Sequence, residues 1–266
     1  MQAGTRGDDV SVPASVLTIA AGRPVRVVWR NELGGLTCEI GAAADRCFVK
    51  WTPNTSTLDP DNERVRLAWA IGFTAVPAVL DHGRDGDGAW IVTSALPGES
   101  AVAERWTAHP AAAVATIGAG MRTFHDALPV AACPFSWSVE DRLADIRRRA
   151  ALGRIQPDRW HAHHRHLDLD GAIAILERPP PIDRLVVCHG DTCAPNTIIA
   201  DNGRCAGHVD LGALGIADRW ADLAIATWST EWNYGAGWES ALLAAYGVTP
   251  DEERTRYYRL LWDLGP

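Results

Sequence analysis

In "PVRVVWR" (24–30) apolar and polar residues alternate, the period of a half-buried strand. A segment with adjacent glycines at 34 and 35 follows, "NELGGLTCEI" (31–40), and then "RCFVKW" (46–51) reads as a second strand. Together these predict strand, glycine-containing turn and strand, with Lys50 at the end of the third segment. The Pro- and Asn-rich stretch 52–62 predicts a loop. Over 63–73 the apolar residues fall at 65, 67, 69 and 71, which predicts a helix with Glu63 in its first turn. Residues 76–98 read as two strands around a Gly/Asp hairpin turn. The apolar run "VSVPASVLTIAAG" (10–22) contains Pro13, lacks a basic preceding segment, and is too short to span a bilayer. It is read as a first strand.

After Pro97-Gly98 the pattern changes. Residues 110–128 are Ala-rich and helical. Residues 138–152 predict a helix with Ser138 as N-cap, acid after it and arginine at its end, the charge order a helix dipole favours. Residues 153–170 are irregular and carry four clustered histidines, 161, 163, 164 and 166, read as a solvated face. A short helix precedes the three prolines at 179–181, a strand-rich insert spans 184–210, and helices are expected over 218–230, 237–246 and 250–262. Trp69 and Trp220, at helical spacing in apolar company, are read as core. A β-rich part (1–96), a Pro-Gly joint and a helical part (97–266) predict two lobes with a cleft between them.

Composition narrows the function classes. The net charge of −8 argues against a nucleic-acid binder, whose phosphate contacts need basic patches. Residues 1–96 carry 11 acids and 9 bases, and residues 97–266 carry 22 and 16, so the helical part holds most of the excess acid and suits a cationic small substrate. Six cysteines in 266 residues are too few for a disulfide framework and several sit in apolar runs, which predicts reduced thiols in a cytoplasmic protein. No run reaches transmembrane length, so no membrane partner is expected, and a monomer is. Of 25 basic residues 24 are arginine; Lys50 is the sole lysine. A lysine that survives such a bias is one whose compact point charge a broad planar guanidinium does not copy.

The candidate chemistry lies in "RLVVCHGDTCAPNTIIADNGRCAGHVDLG" (184–212). An apolar strand delivers His189, Gly190 and Asp191, and five residues after Asp191 comes Asn196. The turn Asp201-Asn202-Gly203 joins two short strands, which brings Asp210 back beside Asn196. Asp191, Asn196 and Asp210 are therefore expected at one mouth. Three such oxygen donors suit Mg²⁺, which takes few protein oxygens and completes its shell with water and phosphates. This division matches kinase-type phosphoryl transfer, with Asp191 accepting a hydroxyl proton, Asn196 and Asp210 holding metal, and a strand lysine, Lys50, on the ATP phosphates. Glu63 is the carboxylate that would hold the Lys50 ammonium. A guanidinium there would be too wide to sit between Glu63 and the phosphates.

These residues resemble the aminoglycoside phosphotransferases, which have a protein-kinase-like fold. The resemblance is strongest over 186–227 and extends more loosely to Lys50, Glu63 with "ERVRLAWAI", the "VTSALPG" joint, "FHDALPVAACPF" (124–135) and "YYRLLWDL" near the end. It implies an α+β bilobal fold, with a small β-rich N-lobe and a larger helical C-lobe. It implies Asp191 as catalytic base, Asn196 and Asp210 as Mg²⁺ ligands, and Lys50 with Glu63 on the phosphates of ATP. It further implies a loop 31–37, with Gly34 and Gly35, over the phosphates, and backbone groups of Ser94 and Leu96 on adenine. The activity implied is ATP·Mg-dependent phosphorylation of an aminoglycoside hydroxyl, conferring antibiotic resistance. Family members acting on the 3′-hydroxyl of deoxystreptamine drugs usually carry an acidic pair where this chain has Trp232 and Asn233. They end in Leu-Asp-Glu-Phe-Phe where it has Leu-Leu-Trp-Asp-Leu-Gly-Pro, and an Arg often stands where it has Ala213. That leaves room for a streptomycin-type 3″ enzyme, with Glu231, Trp232, Asn233, Asp263 and the terminal Pro266 as substrate-binding candidates.

Other readings of the same residues stay open. Cys188, His189 and Cys193 could form part of a metal cluster, although no second ligand pair of zinc spacing lies nearby. The chain could be a kinase of the same fold for another small hydroxylated antibiotic or metabolite, or a catalytically dead nucleotide-binding module. The last is disfavoured because Lys50, Asp191, Asn196 and Asp210 are all present.

Overall fold

The structure is a computed structural model that describes residues 10–42 and 45–265. Pro266 lies outside the described residues. The chain divides into two compact units between Pro97 and Gly98.

The first unit opens with a helix, α1 (Ala14–Ala20), not the expected strand. Pro13 stands at its N-cap, where a missing N–H costs nothing. Val16 and Ala20, one turn apart, are its buried residues, and they join a cluster with Leu36, Cys38, Ile40, Cys47, Val49 and Val92. The local composition is β-like, but an i, i+4 pair suffices to seat one helical turn on a sheet. Five antiparallel strands follow: β1 (Val25–Arg30), β2 (Leu36–Ile40), β3 (Cys47–Pro53), β4 (Val79–Arg84) and β5 (Gly88–Ser94), in the order β1-β2-β3-β5-β4. The segment after the paired glycines is thus itself a strand, with Leu36, Cys38 and Ile40 buried and Thr37 and Glu39 less so. Lys50 sits in the middle of β3 rather than at its end, opposite Thr37 of β2 and Ile91 of β5. Cys47 and Val49 face the core, so Phe48 and Lys50 share the other face.

Between β3 and β4 runs α2 (Pro60–Ala70), which starts three residues before Glu63. Asp59 caps it by accepting the Asp61 N–H at 3.2 Å, and Pro60 fills the first helical position. The β4–β5 turn is held by Asp85, whose Oδ1 accepts the N–H groups of Asp87 and Gly88 at 2.8 and 2.9 Å. Trp69 is half-buried against Phe73, with ring centroids 5.0 Å apart, and is not a core residue as expected.

The second unit contains β6 (Glu99–Ser100), α3 (Glu104–Thr107), α4 (Pro110–Ala127), α5 (Val139–Ala151), α6 (Leu169–Leu176), β7 (Leu185–Cys188), β8 (Thr197–Ile199), β9 (Cys205–His208), β10 (Gly215–Asp218), α7 (Trp220–Tyr234), α8 (Glu239–Tyr246) and α9 (Glu252–Leu264). Ser138 caps α5, accepting the Asp141 N–H at 3.2 Å, as its position predicts. Strands β7 and β10 pair antiparallel, and β8 lies between β6 and β9. Helix α7 is buried at every residue from Trp220 to Thr230, so it forms the axis of a core that also takes Met121, Ile146, Leu176, Tyr246 and Leu261. Trp220 is in that core, as expected.

Candidate active site

In the first unit the Lys50 Nζ donates to both oxygens of Glu63, at 2.9 and 2.7 Å. Glu63 is buried in the first turn of α2, where the helix dipole favours a carboxylate. The ammonium is thereby fixed on the side of β3 that faces away from the apolar cluster. The turn before β2 is tied by Asn31, whose Oδ1 accepts the N–H groups of Leu33 at 3.0 Å and Gly35 at 2.7 Å. Gly34 has φ +82°, a backbone that favours glycine, and a Cβ on Gly35 would lie 2.5 Å from Asn31 Nδ2 and force that side chain to shift. At the joint, the Ser94 N–H donates to the Ala78 carbonyl and the Ser94 hydroxyl accepts the Ala78 N–H, both at 2.9 Å. The Leu96 carbonyl accepts from Arg46 at 3.2 Å. The Leu96 N–H has no hydrogen-bond partner among the described residues.

In the second unit β7 delivers His189, Gly190 and Asp191. Gly190 has φ +86°, and a Cβ there would meet the Ala213 carbonyl at 2.4 Å. The loop is clamped from α7. The buried Asp222 carboxylate accepts the N–H groups of His189 at 2.7 Å and Gly190 at 2.9 Å, together with His125 Nε2 at 2.9 Å. Its carbonyl accepts from the Thr192 hydroxyl at 2.7 Å. Tyr246 lies 2.9 Å from the other nitrogen of His125. Burial alone would raise the Asp222 pKa, but the His125 hydrogen bond and charge and the loop N–H groups bring it below the usual carboxylate value. The three residues of this clamp, His125, Asp222 and Tyr246, were not picked out by sequence reasoning. The signals available are "ADRWADLA" for Asp222 and "FHDALPVAACPF" for His125, neither of which shows by itself that the residues meet.

Asp191 follows the clamped turn. Its Oδ1 is buried and has no hydrogen-bond partner among the described residues. Burial raises its pKa, and the nearby negative charge of Asp210 adds to the rise. Asn196 lies at the same end of the β8–β9 hairpin. Its Nδ2 donates to the Asp191 carbonyl, and its own carbonyl accepts the Val209 N–H, both at 3.0 Å. Asp210, next along, is exposed and holds φ +68°, a left-handed conformation unusual for a non-glycine and typical of functional sites. The expected gathering of Asp191, Asn196 and Asp210 is therefore present in the structure. Its donor set is all oxygen. An orphaned buried carboxylate oxygen and a second carboxylate that repels it form an arrangement a divalent cation would relieve, so these residues fit Mg²⁺.

The cysteine-centred metal reading does not hold. Cys188 is fully buried and donates to the Asp218 carbonyl at 3.4 Å, His189 Nε2 lies 2.9 Å from the Val209 carbonyl, and Cys193 packs with Ile225 and Trp228. Among the described residues the one trio of metal-ligating side chains close enough to share an ion is His125, Cys188 and Asp222. Two of these are the clamp itself, and burial keeps the Cys188 thiol protonated, so this trio is packing.

The substrate candidates fare differently from one another. Glu231 is exposed at the end of the buried stretch of α7. Trp232 packs on the Cys193, Ile225 and Trp228 cluster, its ring centroid 5.2 Å from that of Trp228. The Asn233 amide donates to the Ser229 carbonyl at 2.7 Å. The Asp263 carboxylate accepts the His161 N–H at 3.0 Å and meets the His164 ring at 2.5 Å. The amide of Asn233 and the carboxylate of Asp263 are thus engaged within the protein. The histidine cluster is not uniformly solvated: His163 and His166 are exposed, but His161 and His164 are partly buried and set their rings edge-on to Trp228, at 4.4 and 5.8 Å. An aromatic ring with an acidic partner within reach draws them off the surface.

The phosphotransferase enzyme family model matches residues 37–258. The aminoglycoside 3′-phosphotransferase of Streptomyces fradiae is 37% identical over 220 residues, covering 79% of this chain and 81% of its own. The streptomycin 3″-kinase of Streptomyces griseus is 33% identical over 227 residues, covering 79% and 82%. The structure of aminoglycoside phosphotransferase APH(3″)-Id from Streptomyces rimosus ATCC10970 in complex with ADP and streptomycin superposes with a TM-score of 0.73 at 28% identity, over 94% of this chain and 96% of that one. With the two units, the Lys50–Glu63 pair and the clamped Asp191 loop described above, the chain belongs to the phosphotransferase enzyme family, among the aminoglycoside phosphotransferases of α+β, bilobal, protein-kinase-like fold.

Proposed function

We propose that this protein transfers the γ-phosphoryl group of ATP to a hydroxyl of an aminoglycoside, either the 3″-hydroxyl of streptomycin or a 3′-hydroxyl of a deoxystreptamine drug. The observation that carries the reading is Asp191: a carboxylate on a rigidly held loop, one oxygen buried and unpartnered, beside Asn196 and Asp210. That oxygen is the acceptor for the hydroxyl proton, and its raised pKa makes it a better base than an exposed aspartate. Lys50, steadied by Glu63, neutralises the α- and β-phosphates. Asn196 and Asp210 would hold Mg²⁺, which supplies charge neutralisation at the β- and γ-phosphates. In this reading residues 1–96 bind the nucleotide, with Leu96 offering its N–H to adenine, and residues 97–266 carry the base and the acceptor site. Catalysis is then positioning and charge stabilisation, since phosphoryl transfer asks little covalent chemistry of the protein.

A drug that gains a phosphate loses net positive charge and binds its RNA target more weakly. The excess acid of residues 97–266 and the exposed Glu231 suit ammonium or guanidinium groups, and Trp232 offers a ring to stack on. No helix among the described residues is long and apolar enough to cross a membrane. A monomeric cytoplasmic enzyme that meets its drug inside the cell completes the proposal.

The test is a phosphate-transfer assay with ATP·Mg²⁺ across kanamycin, neomycin, paromomycin and streptomycin, with the product's regiochemistry read by NMR. Transfer to at least one of these, lost in Asp191→Ala while nucleotide binding persists, is the expected result. ATP·Mg²⁺ binding without transfer to any of the four overturns the assignment of acceptor, and near wild-type turnover in Asp191→Ala overturns the assignment of base.

A further inference from the structure

The Leu96 carbonyl is occupied by a cation from within its own unit. Arg46, one residue before β3, sends its guanidinium to that oxygen at 3.2 Å. The same guanidinium lies 3.6 Å from Glu39 and sits over the Phe48 ring, 5.7 Å from its centroid. Arg46 is thus held on three sides. The neighbouring Leu96 N–H, by contrast, donates to no described residue. The joint at Leu96 presents a donor to a ligand and keeps its acceptor covered.

That asymmetry bears on which purine can dock. Adenine's pairing edge offers an acceptor, N1, beside a donor, the N6 amino group. It takes the Leu96 N–H on N1 and needs a second backbone acceptor elsewhere, which the proposed adenine site places at Ser94. Guanine's edge offers an acceptor, O6, beside a donor, N1–H. To use the Leu96 N–H on O6 it needs an acceptor next to that N–H, and the nearest is the Leu96 carbonyl. Arg46 already donates to that oxygen with a charged group, so a guanine N1–H would have to compete with a cation for the same acceptor. A buried donor left without an acceptor is costly, and one facing a cation more so.

We propose that Arg46 is a nucleotide-specificity residue: by capping the Leu96 carbonyl it excludes guanine nucleotides and makes the joint selective for adenine. This rests on the reading of the Ser94–Leu96 segment as the docking point of the base. Glu39 and Phe48 also contact Arg46, but the bond to Leu96 alone carries the specificity.

The test compares affinities for ADP·Mg²⁺ and GDP·Mg²⁺ by isothermal titration, which needs no acceptor. Wild type is expected to prefer ADP strongly. Arg46→Met is expected to narrow that preference by roughly tenfold, the value of one charge-assisted hydrogen bond, chiefly by binding GDP more tightly. Glu39→Gln, which keeps the bond to Leu96, is expected to hold the wild-type ratio to within about twofold, well short of the change expected of one hydrogen bond. An unchanged ratio in Arg46→Met, or an equal change in Glu39→Gln, overturns the role of Arg46. Arg46→Ala gives the same readout should the Met variant fold poorly. In wild type, IDP has N1–H without the 2-amino group and is expected to bind as weakly as GDP; IDP binding on a par with ADP overturns the proposal without any variant. A separate measurement isolates the underlying reading: with selective ¹⁵N-leucine labelling, the Leu96 amide is expected to shift on ADP saturation. If it does not move, the joint is not where the base docks, and the proposal falls with it. If it moves while the Arg46→Met ratio is unchanged, the specificity role alone falls.

Discussion

Asp222→Asn tests whether the clamp on the Asp191 loop is as strained by change as its geometry implies. The substitution keeps shape and size but replaces one accepting oxygen with a donating amide. Oδ2 serves both the His189 N–H and His125 Nε2, and Oδ1 serves the Gly190 N–H. The less costly orientation keeps the oxygen on the Oδ2 side and turns the amide toward the Gly190 N–H, setting donor against donor in a fully buried site. An orphaned buried N–H costs about 1–3 kcal/mol, and the two remaining bonds lose their charge assistance, about 1 kcal/mol each. The sum is about 3–5 kcal/mol. At about 2–4 °C per kcal/mol for a body of 150–250 residues, the melting temperature is expected to fall by roughly 6–20 °C. Turnover is expected to fall further than stability alone explains, since the loop that carries Asp191 loses the Gly190 bond that sets its position, and kcat should drop more than KM rises. Thermal melts and urea unfolding give the first number and steady-state kinetics at 15 °C, well below the melt, the second. A variant within about 1 kcal/mol of wild type, below the cost of a single orphaned N–H, would refute the argument. So would one that melts early but turns over normally when folded.

Three further substitutions probe the site. Asp191→Asn is expected to abolish turnover yet raise the melting temperature. Because the native pKa of Asp191 lies above the unfolded value near 3.8, its charge opposes folding; the gain is absent below that pH, grows as pH rises toward the native pKa, and is flat beyond it. Melts from pH 4 to 8 follow this, and a gain that shrinks with rising pH contradicts it. Lys50→Arg, although it conserves charge, is expected to lose on the order of a hundredfold in kcat/KM, because a planar fork cannot occupy the place of an ammonium seated on both Glu63 oxygens and still reach phosphate; wild-type activity would remove the explanation given for the sole lysine. Gly190→Ala is expected to cost about 2–4 kcal/mol by denaturant unfolding, from a left-handed backbone and a Cβ 2.4 Å from the Ala213 carbonyl, and a neutral result would mean the loop readily moves.

Much of this was legible in the sequence because the informative signals are local. The strand in 24–30, the Gly/Asp turn before β5 and the Ser138 cap each depend on neighbouring residues, and each is found in the structure, although the alternation of β1 breaks at a register shift between Val27 and Trp29. So is the hairpin that returns Asp210 to Asn196, because a tight turn pairs antiparallel neighbours, here with a register shift between Ile198 and Ile199. What stayed hidden depends on neighbours distant in sequence. Residues 14–20 look like a strand until a sheet is there for Val16 and Ala20 to cover. His161 and His164 look solvated until Trp228 and Asp263, from two other helices, come within reach. Asp222 is the clearest case: nothing in its local sequence marks it, and it is made the anchor of the loop only by the packing of α4, α7 and α8 around it.

Helix α7 has one further implication. Asp222 lies near its start and Glu231, Trp232 and Asn233 near its end, nine or more residues apart, about 13–17 Å along the axis. The intervening turns are sealed in the protein's interior and tolerate little change, whereas the far end emerges into solvent at Glu231, where a substitution costs at most about half a kcal/mol. One rod therefore joins a fixed engine mount to an adjustable tool head. Under the acceptor site proposed above, drift in which drug is accepted would accumulate at the outer tip, around Glu231 and Trp232, without loosening the clamp on the Asp191 loop.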